Sequence, residues 1–155
     1  MNNAQLYRSF EECFPRNFSF FTLSQVHGTW PTSLSILSSD FLGSFAVKGE
    51  KQGEIFFALP HFLSLYPSQR AEFLKLFPEK LNQYLADFLV NIEKEKNIFL
   101  FLESPKIFNS SDLYHLEKHL HHYQINKNLL KFNLSLKINF ENILLECHLL
   151  GALNL

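Results

Sequence analysis

The chain has 155 residues, a length that suits one domain able to bury a core without disulfide or metal staples. With 46% hydrophobic residues, 19% charged residues and a formal net charge of −1, it lacks both the basic excess of a nucleic-acid binder and the charge of a disordered chain. Cys13 and Cys147 form no CxxC pair and read as reduced thiols. The N-terminus has no signal-peptide pattern, and no apolar run approaches the roughly 18 residues of a membrane span, so a cytoplasmic protein is expected.

Residues 3–14 read as a short amphipathic helix, with Leu6, Phe10 and Cys13 at helical spacing. Phe18 to His27 is aromatic and β-branched and suits a strand, and Gly28 to Pro31 suits a turn. Ser33 to Val47 favours a strand through Phe41, Phe45 and Val47. A glycine-bounded turn, Lys48 to Gly53, leads into Glu54 to Leu59 as the returning strand of a hairpin. Pro60 stops that strand because proline cannot donate to a ladder. His61 to Phe77 is helical or turn-like and broken at Pro67, with Ser68 placed to cap a helix. Pro78 sits where a helix can restart. Leu81 to Glu95 has strong helical periodicity. Asn97 to Glu103 is an apolar run suited to a buried strand. Asp112 to His122 is a second, polar helix, with Ser110 or Ser111 near its start. Leu130, Phe132, Leu134, Leu136 and Ile138 alternate within a strand over 129–138. Asn139 to Asn142 turns the chain into a last strand, Ile143 to Leu150. No repeat, low-complexity tract or linker divides residues 1–155, which are read as a single domain.

On a helical wheel, Leu74, Phe77, Leu81, Leu85, Phe88, Leu89 and Ile92 share one arc, which makes it the core face. Lys75, Glu79, Asn82, Gln83, Ala86, Val90 and Glu93 fall opposite. Glu79 and Asn82 are three apart and therefore neighbours on the exposed side. A carboxylate can pair with a partner's cation, and the carboxamide beside it can orient a water. Ala86 and Val90, one and two turns on, add a small apolar strip that lets another protein approach closely. By themselves Glu79 and Asn82 are a weak signal, since an E-x-x-N pair arises easily by chance.

Asn82 is followed after 22 intervening residues by Pro105. This pattern, E-x2-N-x22-P, resembles the signature of the CheC/CheX/FliY phosphatases of bacterial chemotaxis. The spacing of Gly43, Gly49 and Gly53 is similar to the family's hairpin, and Pro105-Lys106-Ile107-Phe108 is similar to its strand-then-proline segment. One copy of the motif is closer to CheX than to CheC. Two positions depart from the pattern: Lys75 stands where the family prefers Asp or Ser, and Ala86 where it often has Gly.

The resemblance implies a CheX-like α+β fold: a mostly antiparallel sheet with a long helix packed on one face and Glu79 and Asn82 turned outward. It implies a phosphatase hydrolysing the aspartyl phosphate of a CheY-like response regulator. Glu79 would pair with the regulator's lysine and Asn82 would orient the attacking water. Lys75, Gln83, Ala86 and Val90 would form the partner-binding surface around them. No cofactor of the chain's own is implied: Mg²⁺ would be supplied in the partner regulator, and Pro105 would be structural. A homodimer is plausible by the same resemblance. The alternative is a non-catalytic CheX-like module or scaffold in two-component signalling, and Lys75 favours it.

His115, His119 and His122 lie on one face of the second helix, with His121 beside them. Two helical histidines four apart can hold zinc, but the sequence shows no Cys, Asp or Glu cluster to complete the shell. A solvated face is therefore expected, with no metal. A His-rich metal-binding protein is the third and weakest reading. His27, His61 and His148 are isolated. There is no G-x-S-x-G and no Gly-rich phosphate loop. The aromatic residues read as core, and Trp30 is expected to pack inside rather than at a surface or dimer contact.

Overall fold

Alternation of apolar and polar residues over long stretches gives this chain a broad antiparallel sheet. A computed structural model describes residues 3–12, 20–27, 30 and 35–155. In chain order its elements are α1 (Asn3–Glu12), β1 (Phe21–His27), β2 (Phe41–Gly49), β3 (Gln52–Leu59), α2 (Pro67–Lys96), β4 (Leu100–Leu102), β5 (Lys106–Phe108), α3 (Leu113–Ile125), β6 (Leu130–Phe140) and β7 (Ile143–Asn154). Short 3₁₀ turns lie at Ser35–Ser38, Phe62–Ser64 and Ser110–Asp112. The sheet runs β1-β6-β7-β3-β2-β4, with β5 also on β2, and every pairing is antiparallel. The fold is α+β. The predicted helix over 3–14, strand over 18–27 and turn over 28–31 reach, at Cys13, Phe14, Phe18, Ser19, Gly28, Thr29 and Pro31, outside the described residues.

Strands β6 and β7 join through Glu141 and Asn142, both at positive φ (48° and 65°), a two-residue loop whose twist matches its strands. The alternating residues Phe132, Leu134, Leu136, Ile138 and Phe140 face the core under α2. On the same face the Phe10 ring from α1 stacks 4.0 Å from Phe88 and meets Phe132 edge-on at 5.1 Å. The alternate residues of the sheet face α3, where Leu42, Phe56, Ala58, Leu150 and Ala152 meet Leu116 and Leu120. The sheet is thus covered on both sides. Trp30 is buried in this second layer, and its indole N–H donates to the carbonyls of Phe132 (3.0 Å) and Gly151 (3.1 Å).

Several boundaries differ from the sequence expectation. The long helix is a single element of 30 residues, about 45 Å, with Pro78 inside it. Pro67 starts this helix rather than breaking one, in the first-turn position where a missing N–H costs nothing. Tyr66 is the cap residue, not Ser68, and its N–H is taken by the Gln69 side chain at 3.0 Å. Before Pro78 the helix buries Phe73 and Phe77; after it the buried set is Leu81, Tyr84, Leu85, Phe88, Leu89 and Ile92. Phe73, Phe77, Leu81 and Leu85 are each four apart, so the buried stripe continues past the proline. Leu74, on the core arc of an ideal wheel, is 38% exposed.

Of the segment expected as one strand over 33–47, the described residues form a 3₁₀ turn at Ser35–Ser38 and then β2. The run over 97–103, expected to be buried, is a three-residue edge strand, β4, with Phe99 57% and Phe101 45% exposed.

Candidate functional site

Strand β2 carries β4 and β5 on the same edge: Val47 pairs with Leu102, and Ser44 with Lys106. Two residues of β2 therefore face three on the other side, Glu103, Ser104 and Pro105. The two short strands are one strand interrupted by a bulge. Glu103 N–H still donates to the Ala46 carbonyl at 2.9 Å. A bulge is where a sheet tolerates a residue without an N–H, which accounts for Pro105.

Facing this bulge is α2. Pro78, Glu79, Asn82 and Gln83 on the helix, and Leu102, Glu103, Ser104 and Pro105 on the strand, line an open recess of about 420 Å³. Glu79 and Gln83 are exposed and Asn82 is half-buried. Among the described residues, neither Glu79 nor Asn82 has a side-chain hydrogen bond or ion pair. The carboxamide lines the recess with its donors and acceptor uncommitted among the described residues. Pro78 removes the N–H that would bond the Leu74 carbonyl, and so sets the local path of the helix just ahead of Glu79.

Of the other residues singled out from sequence, Gln83 lines the recess. Lys75 is exposed beyond it and pairs with Glu72 at 3.2 Å, a surface pair that holds little energy. Ala86 is half-buried and Val90 exposed, farther along the same side of the helix. Glu103, Ser104 and Pro78 belong to the recess too. Their only sequence signal is adjacency to Pro105 and Glu79.

The histidines are less isolated than their spacing suggests. His27 Nε2 lies 2.9 Å from Ser135 Oγ, which is 3.1 Å from His148 Nδ1, along a cavity of about 370 Å³. Burial foremost, and then the nearby rings of His27 and His61, lower the His148 pKa against the pull of Glu146. His119 contacts Glu54 from 65 residues away in sequence. The buried Cys147 thiol is pushed up by desolvation and is no nucleophile at neutral pH. Cys13 lies outside the described residues. No helix among the described residues is long and apolar enough to cross a membrane.

No protein-family profile matches the sequence, and no curated protein matches it. Solved structures do. A chain of the CheX–CheY–BeF₃–Mg²⁺ complex from Borrelia burgdorferi matches with a TM-score of 0.59 at 8% identity, covering 98% of this chain and 97% of that one. The chemotaxis protein CheX from Desulfovibrio desulfuricans matches at 0.53 and 8%, covering 97% of each. The FliM–SpeE complex from H. pylori contributes a match at 0.56 and 14%, over 98% of this chain and 89% of that one. At such identities the likeness concerns the fold, and it extends over nearly the whole of each chain. This chain has the fold of the CheC/CheX/FliY group, shared by CheX, CheC-like and FliM proteins.

Proposed function

We propose that this protein is a phosphatase acting on the aspartyl phosphate of a CheY-like response regulator. The observation that carries the reading is the pairing of Glu79 with an uncommitted Asn82 in one open recess closed by the Pro105 bulge. On this reading Glu79 binds the regulator's active-site lysine and fixes register. Asn82 enters the regulator's site, accepts a hydrogen bond from a water through its carbonyl oxygen and holds that water in line with the phosphorus. Attack breaks the bond to the aspartate oxygen, releasing inorganic phosphate and the free carboxylate. Such catalysis by positioning is worth several kcal/mol without a covalent intermediate. Mg²⁺ is carried by the regulator, and this chain supplies no ligand to it. The half-buried setting of Asn82 supports the role, because a side chain held by its neighbours loses less freedom on docking. The reaction places the protein in the cytoplasm with its partner.

A second reading, a non-catalytic interaction module, draws support from Lys75, whose ammonium stands near the docking face, and from the likeness to FliM, which is found in a complex with SpeE. Phosphate release from phosphorylated CheY-type regulators separates the two. Under the phosphatase reading, the wild type accelerates release, and Asn82→Ala and Glu79→Ala each abolish the gain. A regulator that binds tightly yet loses phosphate at its own unaided rate establishes the module instead.

A further inference from the structure

The recess beside Asn82 has two walls of different origin. Glu79, Asn82 and Gln83 come from α2, whereas Glu103, Ser104 and Pro105 come from the bulge between β4 and β5. Each wall brings one carboxylate, Glu79 from the helix and Glu103 from the strand. The Glu103 side chain is exposed, but its backbone is fixed. Its N–H donates to the Ala46 carbonyl at 2.9 Å, and the ring of Pro105 restricts the backbone of Ser104 that follows.

The two charges are not answered from within the chain. Among the described residues, neither Glu79 nor Glu103 has a side-chain hydrogen bond or ion pair, and no Lys, Arg or His lines the recess. Lys75 is engaged with Glu72 outside it. Lys106, three residues after Glu103, lines a recess on the opposite face of the sheet, where its ammonium lies 5.3 Å from the Phe108 ring. Strand alternation sends it there: Pro105 lines the α2 side, and Lys106, next in the chain, the α3 side.

A phosphoryl group brought to Asn82 therefore meets two carboxylates and no cation of this chain. Like charges at close range repel, so the group is admitted only with cations of its own around it. Glu79 answers one of them, the lysine of the phosphatase reading. Glu103, on the other wall, is left for a second. We propose that Glu103 is a specificity-determining residue, which binds a second basic side chain, Lys or Arg, on the phosphorylated partner, across the phosphoryl group from the one that Glu79 takes. The inference rests on the phosphatase reading for the identity of that partner. A partner with a neutral or acidic residue there leaves Glu103 unpaired beside its phosphoryl group, and the repulsion rejects it. A carboxylate at the rim of an interface acts on encounter and on salt dependence more than on the chemical step.

The test compares the full-length wild type with Glu103→Gln and Glu103→Lys on CheY-type regulators that carry basic residues beside the phosphorylated aspartate. Affinity is read on the beryllofluoride form, which is not hydrolysed, at about 50 mM and about 300 mM NaCl, and kcat and KM of phosphate release on the phosphorylated form. At the lower salt Glu103→Gln should weaken binding and raise KM by ~3- to 10-fold, with kcat changed by less than ~2-fold. Most of the difference should vanish at the higher salt, where screening is stronger. Glu103→Lys should bind more weakly still. Glu117→Gln, which makes the same change of net charge on the exposed side of α3, should match the wild type throughout. If Glu103→Gln equals the wild type in KM and salt dependence while release still requires Asn82, this inference is overturned and the phosphatase reading stands. The expected loss of affinity without any phosphate release overturns the phosphatase reading and leaves the Glu103 contact standing. Failure of every regulator to bind the wild type overturns both.

Discussion

Gly43 and Lys106 meet so closely that a Cβ on residue 43 would stand 2.7 Å from the Lys106 carbonyl oxygen, and 2.3 Å from the Phe57 ring. The missing side chain lets β5 lie against β2, and β5 holds Pro105 and its bulge over the recess. Gly43→Ala forces either the ring or the strand to shift. A cost of about 1–3 kcal/mol, typical of overpacking, should appear as a lower urea midpoint. If β5 is what moves, regulator dephosphorylation falls as well, although residue 43 touches no substrate.

Pro78 should separate stability from activity. Pro78→Ala restores the N–H toward the Leu74 carbonyl and relieves the ring's clash with the preceding turn. Greater freedom of the unfolded chain offsets part of that gain. The net expectation is stabilisation on the order of 1 kcal/mol, read from chemical denaturation, together with slower phosphate release because Glu79 and Asn82 turn relative to the bulge. Unchanged activity would show that the proline plays no part in presenting the site.

Trp30 is the chain's one tryptophan and joins two strands through its N–H. Trp30→Phe keeps much of the apolar volume and removes both hydrogen bonds, for an expected loss of about 1–3 kcal/mol in unfolding free energy. Circular dichroism is the suitable measure, since the variant loses its fluorophore.

His148 sets a pH dependence. Its folded pKa lies below the ordinary value near 6.5, chiefly through burial. The unfolded chain therefore binds the proton more readily, and stability rises with pH across the window between the two values. The contribution of this residue is present above about pH 6.5 and is lost as pH falls through the folded pKa. Thermal midpoints of wild type should drop on acidification below pH 6.5. His148→Gln, still flanked by Ser135, His27, His61 and Glu146, should show a shallower drop. Parallel curves for the two proteins would remove His148 from the account.

Much of this was legible in residue order because alternation and helical spacing are local. The stripe from Phe132 to Ile138 and the outward placing of Glu79 and Asn82 follow from periods of two and 3.6. Pro78 is not legible as a helix-interior residue from sequence, because a proline inside a packed helix is tolerated only when tertiary contacts, here Phe73, Phe77 and Leu81 under the sheet, outweigh the lost bond. Phe99 and Phe101 look like core residues and lie at an edge, since hydrophobicity does not say how many strands lie beyond. The pairing of Glu54 with His119 joins positions 65 apart and left no trace in spacing. The same is true of the Glu103 and Ser104 wall of the recess, which exists only because β2 accommodates one extra residue opposite it.

That extra residue has a counterpart at the other border. Strand β1 slips register between Leu23 and Gln25 as it runs along β6, so both outer strands carry an interruption. Among the described residues, each border offers straight runs of three residues: 21–23 and 25–27 on one side, 100–102 and 106–108 on the other. A wide sheet with exposed Phe99, Phe101 and Ile107 at its margin is at risk of accreting strands from its neighbours. Breaking both margins into such short runs guards against runaway fibre growth, and at one margin the break also shapes the recess beside Asn82.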